Sequence, residues 1–336
     1  MRKYIVFLIL IFPFIGKTQH TFSIVAVDSI TGEVGSAGAT CGDSIMWPGT
    51  PGAKIISDII PGKGVIHTQA FYNPTNQTNA HNKMLAAYSP QAIINWLEVN
   101  DAEFDSSIRQ YGIVDYNNGH PRSAAFTGSM CNNYKNHNLG PNYAIQGNIL
   151  LGQQILDSME NRFNNTKGTL ADKLMAALQG AKVVGADTRC KPNGTSSLSA
   201  FLRVARPNDS IKSIYIDLNI AATTTGNDPI DKLQTKYNTW KSTVGIIENQ
   251  YHTPFEVSLI PNPTEGVITI NINNPIAIGS YPIKVEVVGL LGQVLISQFI
   301  TSPSSNLELY KLNSGLYFIN FYKGDLKVGT EKIIKR

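Results

Sequence analysis

TFSIVAVDSITGEVGSAGAT, Thr21–Thr40, is the stretch on which the fold turns. Its first arm, Phe22–Val27, is a run of apolar and small residues, the pattern of a buried strand. Asp28-Ser29-Ile30-Thr31-Gly32-Glu33 follows with turn chemistry, and Gly32 is free to take a positive φ. The second arm, Val34–Thr40, consists almost wholly of Gly, Ala, Ser and Thr, so a helix or another backbone can approach it closely.

Working outward, Val65–Phe71 (VIHTQAF) is a third strand. Ser89-Pro90 opens a helix whose apolar face carries Ala92, Ile93, Trp96 and Leu97. Tyr111–Asp115 and Arg122–Phe126 read as a hairpin around Asn117-Asn118-Gly119, and Tyr143–Gln146 as a short strand. Ile155, Leu156, Met159 and Phe163 mark a second helix. Thr169 with Asp172 caps a third, lined by Leu170, Leu174, Leu178 and Ala181. Strands Ser197–Val204 and Ile214–Ile220 and a polar helix over Pro229–Gln250 close this part. Strands, then helices, then strands predict an α+β domain: a mostly antiparallel sheet system with helices on its outer faces. Tyr251–Pro254 marks a boundary. Beyond it come only short strands, Val267–Asn273, Ile283–Val288, Val294–Phe299 and Leu316–Tyr322, the spacing of a small all-β sandwich.

At the other end, Arg2 and Lys3 precede an apolar run, Tyr4–Ile15, too short for the ~20 residues of a membrane span. With Gly16 and Thr18 as small residues, 1–18 reads as a secretory signal peptide cleaved after Thr18, leaving no transmembrane segment. The expected organisation is 1–18 signal, 20–250 α+β domain, 255–336 β-sandwich. Only 15% of residues are charged, against a typical ~25%, and the net charge is +4. No basic stretch interleaved with aromatics is present, which argues against a nucleic-acid partner. The three cysteines, Cys41, Cys131 and Cys190, allow one disulfide, whose pairing the spacing leaves open.

Two resemblances follow from ordered motifs. The series HTFSIVAVDSITGEVGSAGA, PGKGVIHTQAFYNP, YGIVDYNNG, AAFTGS, GPNYAIQGNIL, GADTRC and SLSAFLRV, over roughly 20–222, is similar to the Ntn-hydrolase-like family catalogued as domain of unknown function 1028. That resemblance implies a four-layer αββα sandwich, and some members carry a peptidoglycan-binding module, which hints at a cell-wall peptide substrate. IPNPTEG (Ile260–Gly266), VVGLLGQVL (Val287–Leu295), LNSGLYFINFYKG (Leu312–Gly324) and a terminal KIIKR resemble the C-terminal sorting domain of the type IX secretion system of Bacteroidetes. This implies the type IX machinery as partner, export through periplasm and outer membrane, and a secreted or surface-attached product. An ordinary carbohydrate-binding or spacer sandwich is the competing reading of the tail.

Ntn hydrolases use an N-terminal Thr, Ser or Cys whose own α-amine is the base, because an amine of pKa ~7.7–8 can take the hydroxyl proton near neutral pH. The resemblance puts Thr21 in that role, although cleavage after Thr18 leaves Gln19 and His20 ahead of it. Thr21 as a plain strand start is the competing reading, and Ser23, inside the strand, is a weaker candidate. Gln69 and Asn73 form an amide pair suited to a substrate amide, or Asn73-Pro74 is a turn cap. Gln146, Gly147 and Asn148 suit an oxyanion hole, or ordinary loop capping. Asp187 and Arg189 suit a substrate carboxylate or amine, or a structural ion pair. The six histidines show no metal-ligand spacing and there is no Walker loop or dinucleotide glycine motif, so neither a metal nor another cofactor is expected. The expected activity is amide hydrolysis, with a non-catalytic peptide- or glycan-binding module as the alternative.

Overall fold

The computed structural model describes residues 18–19, 21–244, 256–272, 282–290, 292–324 and 326–336. The apolar run of the expected signal peptide, the boundary Tyr251–Pro254 and residues 245–250 of the expected last helix lie outside these. The chain divides into two compact units, one centred on Glu33–Tyr116 and Pro121–Gln234, the other on Thr235–Arg336.

In chain order the elements up to the tail are β1 (Thr18–Gln19), β2 (Thr21–Val27), β3 (Val34–Thr40), β4 (Ser57–Ile60), β5 (Gly64–Phe71), α1 (Pro74–Leu85), α2 (Pro90–Val99), β6 (Arg109–Asn117), β7 (His120–Thr127), β8 (Asn136–Gly140), β9 (Tyr143–Gly147), α3 (Gln153–Asn165), α4 (Leu170–Gly180), β10 (Ser199–Ala205), β11 (Ile216–Ile220) and α5 (Pro229–Val244). One sheet runs β1-β5-β6-β7, with β4 also on β5; the other runs β11-β10-β3-β2-β9-β8. Antiparallel pairing sets Thr21 opposite Thr40 and His67 opposite Gly112. The β6–β7 turn is Asn118-Gly119, both at positive φ, as the hairpin reading expects.

The strand period of two assigns each face. Ile66, Tyr111 and Ile113 of the first sheet join Ala80, Met84, Ile93, Ile94 and Leu97 of α1 and α2 in one core. Their alternates Val65 and Val114, with Ile59, meet Val25, Val27 and Val34 of the second sheet in another, so the two sheets face each other. On the far side of the second sheet a Cβ on Gly35 would fall 2.7 Å from Leu174 Cδ1, which explains why β3 is built of small residues where α4 lies. Phe163 of α3 meets Tyr143 edge-on at 5.1 Å.

Helix α1 departs from the sequence expectation. Its segment, PTNQTNAHNKML, is rich in weak helix formers and has little apolar stripe. Two other forces form it. Asn73 Oδ1 caps it, accepting from the N–H groups of Thr75 and Asn76. Buried Asn76 pins it, donating to Asp101 (2.6 Å) and Tyr111 Oη (3.1 Å) and accepting from Ala102 N–H. Strands β4 and β8 were likewise not anticipated.

The tail holds β12 (Val257–Ile260), β13 (Val267–Ile272), β14 (Ile283–Val288), β15 (Val294–Ile300), β16 (Ser304–Glu308), β17 (Gly315–Lys323) and β18 (Leu326–Lys335), in sheets β12-β13-β16 and β15-β14-β17-β18. Alternate residues Ile268, Ile270 and Ile272 of one sheet and Val285, Val287, Ile319 and Phe321 of the other share one core. The tail is thus all-β, as expected.

Candidate functional site

The interior between the two large sheets changes character along its length. At one end Val27, Val34, Val65 and Val114 close it. Two residues along each strand the same face carries His67, Gln146 and Ser23, and then Gln69, Gln110 and Thr21, all 0–1% exposed. Six buried polar side chains so close together stand only if most of their hydrogen bonds are met.

Most are met, in one connected pattern, while among the described residues His67 Nε2 and Gln146 Oε1 have no hydrogen-bond partner. Gln110 Nε2 donates to the carbonyls of Gly147 (2.9 Å) and Asn136 (3.1 Å), so its Oε1 faces inward and accepts from Gln69 Nε2 (2.8 Å) and Asn148 Nδ2 (3.0 Å). Gln69 Nε2 also donates to the Thr21 carbonyl (3.1 Å), which leaves its Oε1 to accept from Ser23 Oγ (2.6 Å). With that proton committed, Ser23 Oγ accepts from Gln146 Nε2 (2.7 Å), and His67 Nδ1 lies within hydrogen-bond distance of it (3.0 Å). His67 Nδ1 also lies 3.3 Å from Gln146 Nε2, so whether it donates or accepts follows the tautomer of the ring. Burial, aided by the Arg203 charge, pushes its pKa down to about 3. Space for this cluster comes from Gly112, where a Cβ would lie 2.0 Å from Gln146 Oε1.

Thr21 sits where the cluster reaches the end of β2. Its carbonyl accepts from Gln69 Nε2 and from the Asn148 N–H (3.2 Å). The two residues that follow these partners, Ala70 and Ile149, hold positive φ values of 69° and 53°. For a β-branched residue that conformation is an outlier of order 1–2 kcal/mol, a strain that gathers at functional sites. Upstream, Thr18 and Gln19 pair with Phe71 and Ala70 of β5, and the nitrogen of Thr21 is in a peptide bond.

Beside Thr21, across the β2–β3 pair, Arg189 Nη2 donates to Thr40 Oγ1 (3.2 Å) and to the fully buried Asp187 (2.6 Å). Asp187 also accepts from Cys41 N–H (2.9 Å), and Cys41 is disulfide-bonded to Cys190. The bridge joins the residue after Thr40 to the residue after Arg189. Cys131 is a buried free thiol, raised to about 11 by burial.

Of the residues singled out by sequence, Thr21, Gln69, Gln146, Gly147 and Asn148 thus come together, and Asp187 and Arg189 form an ion pair one strand away. Asn73 has its side-chain oxygen engaged as the α1 cap. The Asn148 main-chain N–H holds the Thr21 carbonyl, and its side-chain amide donates to Gln110 Oε1. Ser23, His67 and Gln110 join this cluster, and no sequence motif marks any of the three as a leading candidate. The available signal was polar residues two apart on strands, Thr21/Ser23 and His67/Gln69, where a buried face should be apolar.

The family described as "Family of unknown function (DUF1028)" matches residues 21–233, and the "Secretion system C-terminal sorting domain" matches residues 258–336. Among solved structures, a protein from Silicibacter pomeroyi described with the same DUF1028 family is similar at 23% identity, over 66% of this chain and 89% of that one, with a TM-score of 0.53. Anbu, an ancestral beta-subunit from Yersinia bercovieri, aligns at 11% identity over 69% of this chain and 98% of that one, with a TM-score of 0.31. No curated protein matches the chain. The first structural likeness concerns the fold, mixed helix and antiparallel sheet. The sorting domain indicates export by type IX secretion, to the cell surface or extracellular space. Among the described residues no helix is long and apolar enough to cross a membrane.

Proposed function

We propose, from the premise that this chain belongs to the DUF1028 family of unknown function, that it is an exported amide hydrolase of the N-terminal-nucleophile type, with Thr21 as nucleophile. In this reading residues 20–250 are the four-layer αββα catalytic domain, 255–336 the sorting sandwich and 1–18 the signal peptide. The observation that carries it is the position of Thr21: first residue of a central strand, carbonyl gripped by Gln69 and Asn148, at the polar end of an interior that is apolar at its other end.

The chemistry requires a chain that begins at Thr21. Its α-amine, of ordinary pKa ~7.7–8, then takes the proton of Thr21 Oγ1 as that oxygen attacks the substrate carbonyl carbon. The proton passes to the departing amine as the C–N bond breaks, and water cleaves the resulting ester. Loss of residues 18–20 also vacates the place beside Ala70 and Phe71 that β1 fills, which opens the site to substrate. Gln69 and Asn148 position Thr21; Gln146 and Gly147 form the floor; Asp187 and Arg189 orient a charged end of the substrate, for which a cell-wall peptide is the class we favour.

A second reading has one observation in its favour: β1 is paired in the sheet, so the Thr21 nitrogen is not free in this chain. A protein that keeps this segment is a peptide- or glycan-binding module. Terminal sequencing and intact mass of the exported protein, followed by treatment with an amide-mimicking electrophile, separate the two. A mature chain starting at Thr21 and labelled there supports the hydrolase. A chain retaining Gln19 and His20, unlabelled, overturns it.

A further inference from the structure

We infer that the outer edge of β15, Val294–Ile300, is the surface by which the tail is read during export, through addition of an uncharged extended strand of the secretion machinery. The inference rests on the tail being a sorting domain, which requires a partner in that machinery.

The four edges of the tail's two sheets are not alike. Edge strand β12 has four residues and β16 five, the latter ending in Glu308. Gln298 Nε2 donates to the Asn306 carbonyl of β16. Strand β18 carries Lys327, Glu331, Lys332 and Lys335, and its edge is covered: Asn262 donates to the Lys332 carbonyl (2.7 Å) and accepts from Ile334 N–H (3.1 Å), while Thr264 N–H donates to the Ile334 carbonyl (2.9 Å). Short length, charge and a covering loop are the ordinary ways a sheet edge is protected.

Among the described residues strand β15 has none of these three, and its pairing with β14 skips Leu295. It is seven residues long, and among the described residues it pairs with β14 alone. Residues 287–307 contain no charged side chain. Val294 (53%), Leu295 (41%) and Phe299 (66%) are exposed along it, and Leu290 (69%) stands in the loop leading in. A row of main-chain N–H and C=O groups that no described strand pairs with, with apolar side chains beside it, is the surface that a strand adds to, main-chain bonds giving affinity and alternate side chains giving selectivity. The absence of charge selects an uncharged occupant, since a charge set against this row would lose its water without a partner.

The test uses the full-length chain in cells with a working type IX system. Phe299→Lys and, as the milder variant, Ser297→Lys place a charge on the exposed side of β15; Ser304→Lys does the same on β16. The expected result is a loss of surface and extracellular protein of about tenfold for the two β15 variants, with periplasmic accumulation, unchanged protease resistance of the tail, and normal export of Ser304→Lys. Normal export of both β15 variants overturns the inference, as does equal loss with Ser304→Lys. Conversion of a wild-type dimer to monomer with export intact assigns the edge to self-association and also overturns it. Deletion of 258–336 is run alongside. If that deletion is exported normally the sorting reading itself fails, whereas a retained deletion with exported β15 variants sinks the edge inference alone.

Discussion

The two ends of the interior between the large sheets are made by the same strands, yet obey different rules. At the Val27–Val34 end, Val65, Val114 and Ile59 fill space without direction. At the Thr21 end, on the same faces of β2, β5 and β6, Ser23, His67, Gln69 and Gln110 carry hydrogen-bonding groups joined in one network. Apolar packing would hold the second end at least as well, because a buried polar network adds little net stability over well-packed hydrocarbon. What the polar end gains is direction. It fixes the rotamers of Gln69, Gln110 and Asn148, and through them the carbonyl of Thr21.

The largest test of this contrast replaces one residue at each end of β6. Gln110→Leu removes the oxygen that accepts from Gln69 Nε2 and Asn148 Nδ2 and the donor to the Gly147 carbonyl, and is expected to cost about 4 kcal/mol, since lost bonds to buried groups cost ~1–3 each. Val114→Ala at the other end should cost about 2 kcal/mol, a methyl-deletion effect. Urea unfolding of both variants measures the pair. Equal losses would show that Gln110 serves as filler and not as a director.

The disulfide should matter to one end only. Cys41→Ser with Cys190→Ser is expected to lower stability by about 3 kcal/mol. Amide exchange should rise around Thr40–Asp43 and 187–193, where Asp187 and Arg189 are tied to Thr40, and stay slow at Val25 and Val65. Uniform acceleration across both ends would break the comparison.

A pH titration is the next step down. Folded His67 stays neutral to about pH 3, whereas an unfolded histidine takes a proton near 6.5. Between these values the unfolded chain binds more protons, so this contribution to stability is full above 6.5 and is lost as pH falls towards 3. The expected loss from pH 7 to pH 5 is about 2 kcal/mol. His67→Asn, which keeps a hydrogen-bonding group opposite Ser23 Oγ, should flatten that slope. An unchanged slope would mean that His67 titrates normally and is not enclosed.

Much of this was legible in the sequence, and what was missed has physical causes. Strands β2 and β3 declared themselves by apolar and small-residue runs, α4 by Thr169 and Asp172, and the β6–β7 turn by Asn118-Gly119. Helix α1 did not, because its stability comes from Asn76 bonding to Asp101 and Tyr111, residues distant in sequence. The site residues showed the same divide. Thr21, Gln69 and Gln146–Asn148 lie in quotable motifs. Gln110 acquires meaning only when two sheets face each other, since no local pattern states which face of β6 lies inward, whereas His67 is signalled only by its place two residues before Gln69 on β5. Cys41 and Cys190 are 149 residues apart, and their pairing waits on Thr40 being set beside Arg189.

Asn73 offers the smallest and most discriminating effect. It stands at the end of β5 beyond Gln69, and its Oδ1 already accepts from two backbone N–H groups at the start of α1. A side chain used as a cap is worth ~1 kcal/mol, and an aspartate or serine replaces it at little loss. Asn73→Ala should therefore lower stability by about 1 kcal/mol while Asn73→Asp restores it, with substrate or fragment binding unaffected by either. If Asn73→Asp restores stability yet abolishes binding, the amide itself touches ligand, and the polar end of the interior extends one turn further along β5 than the hydrogen bonds alone imply.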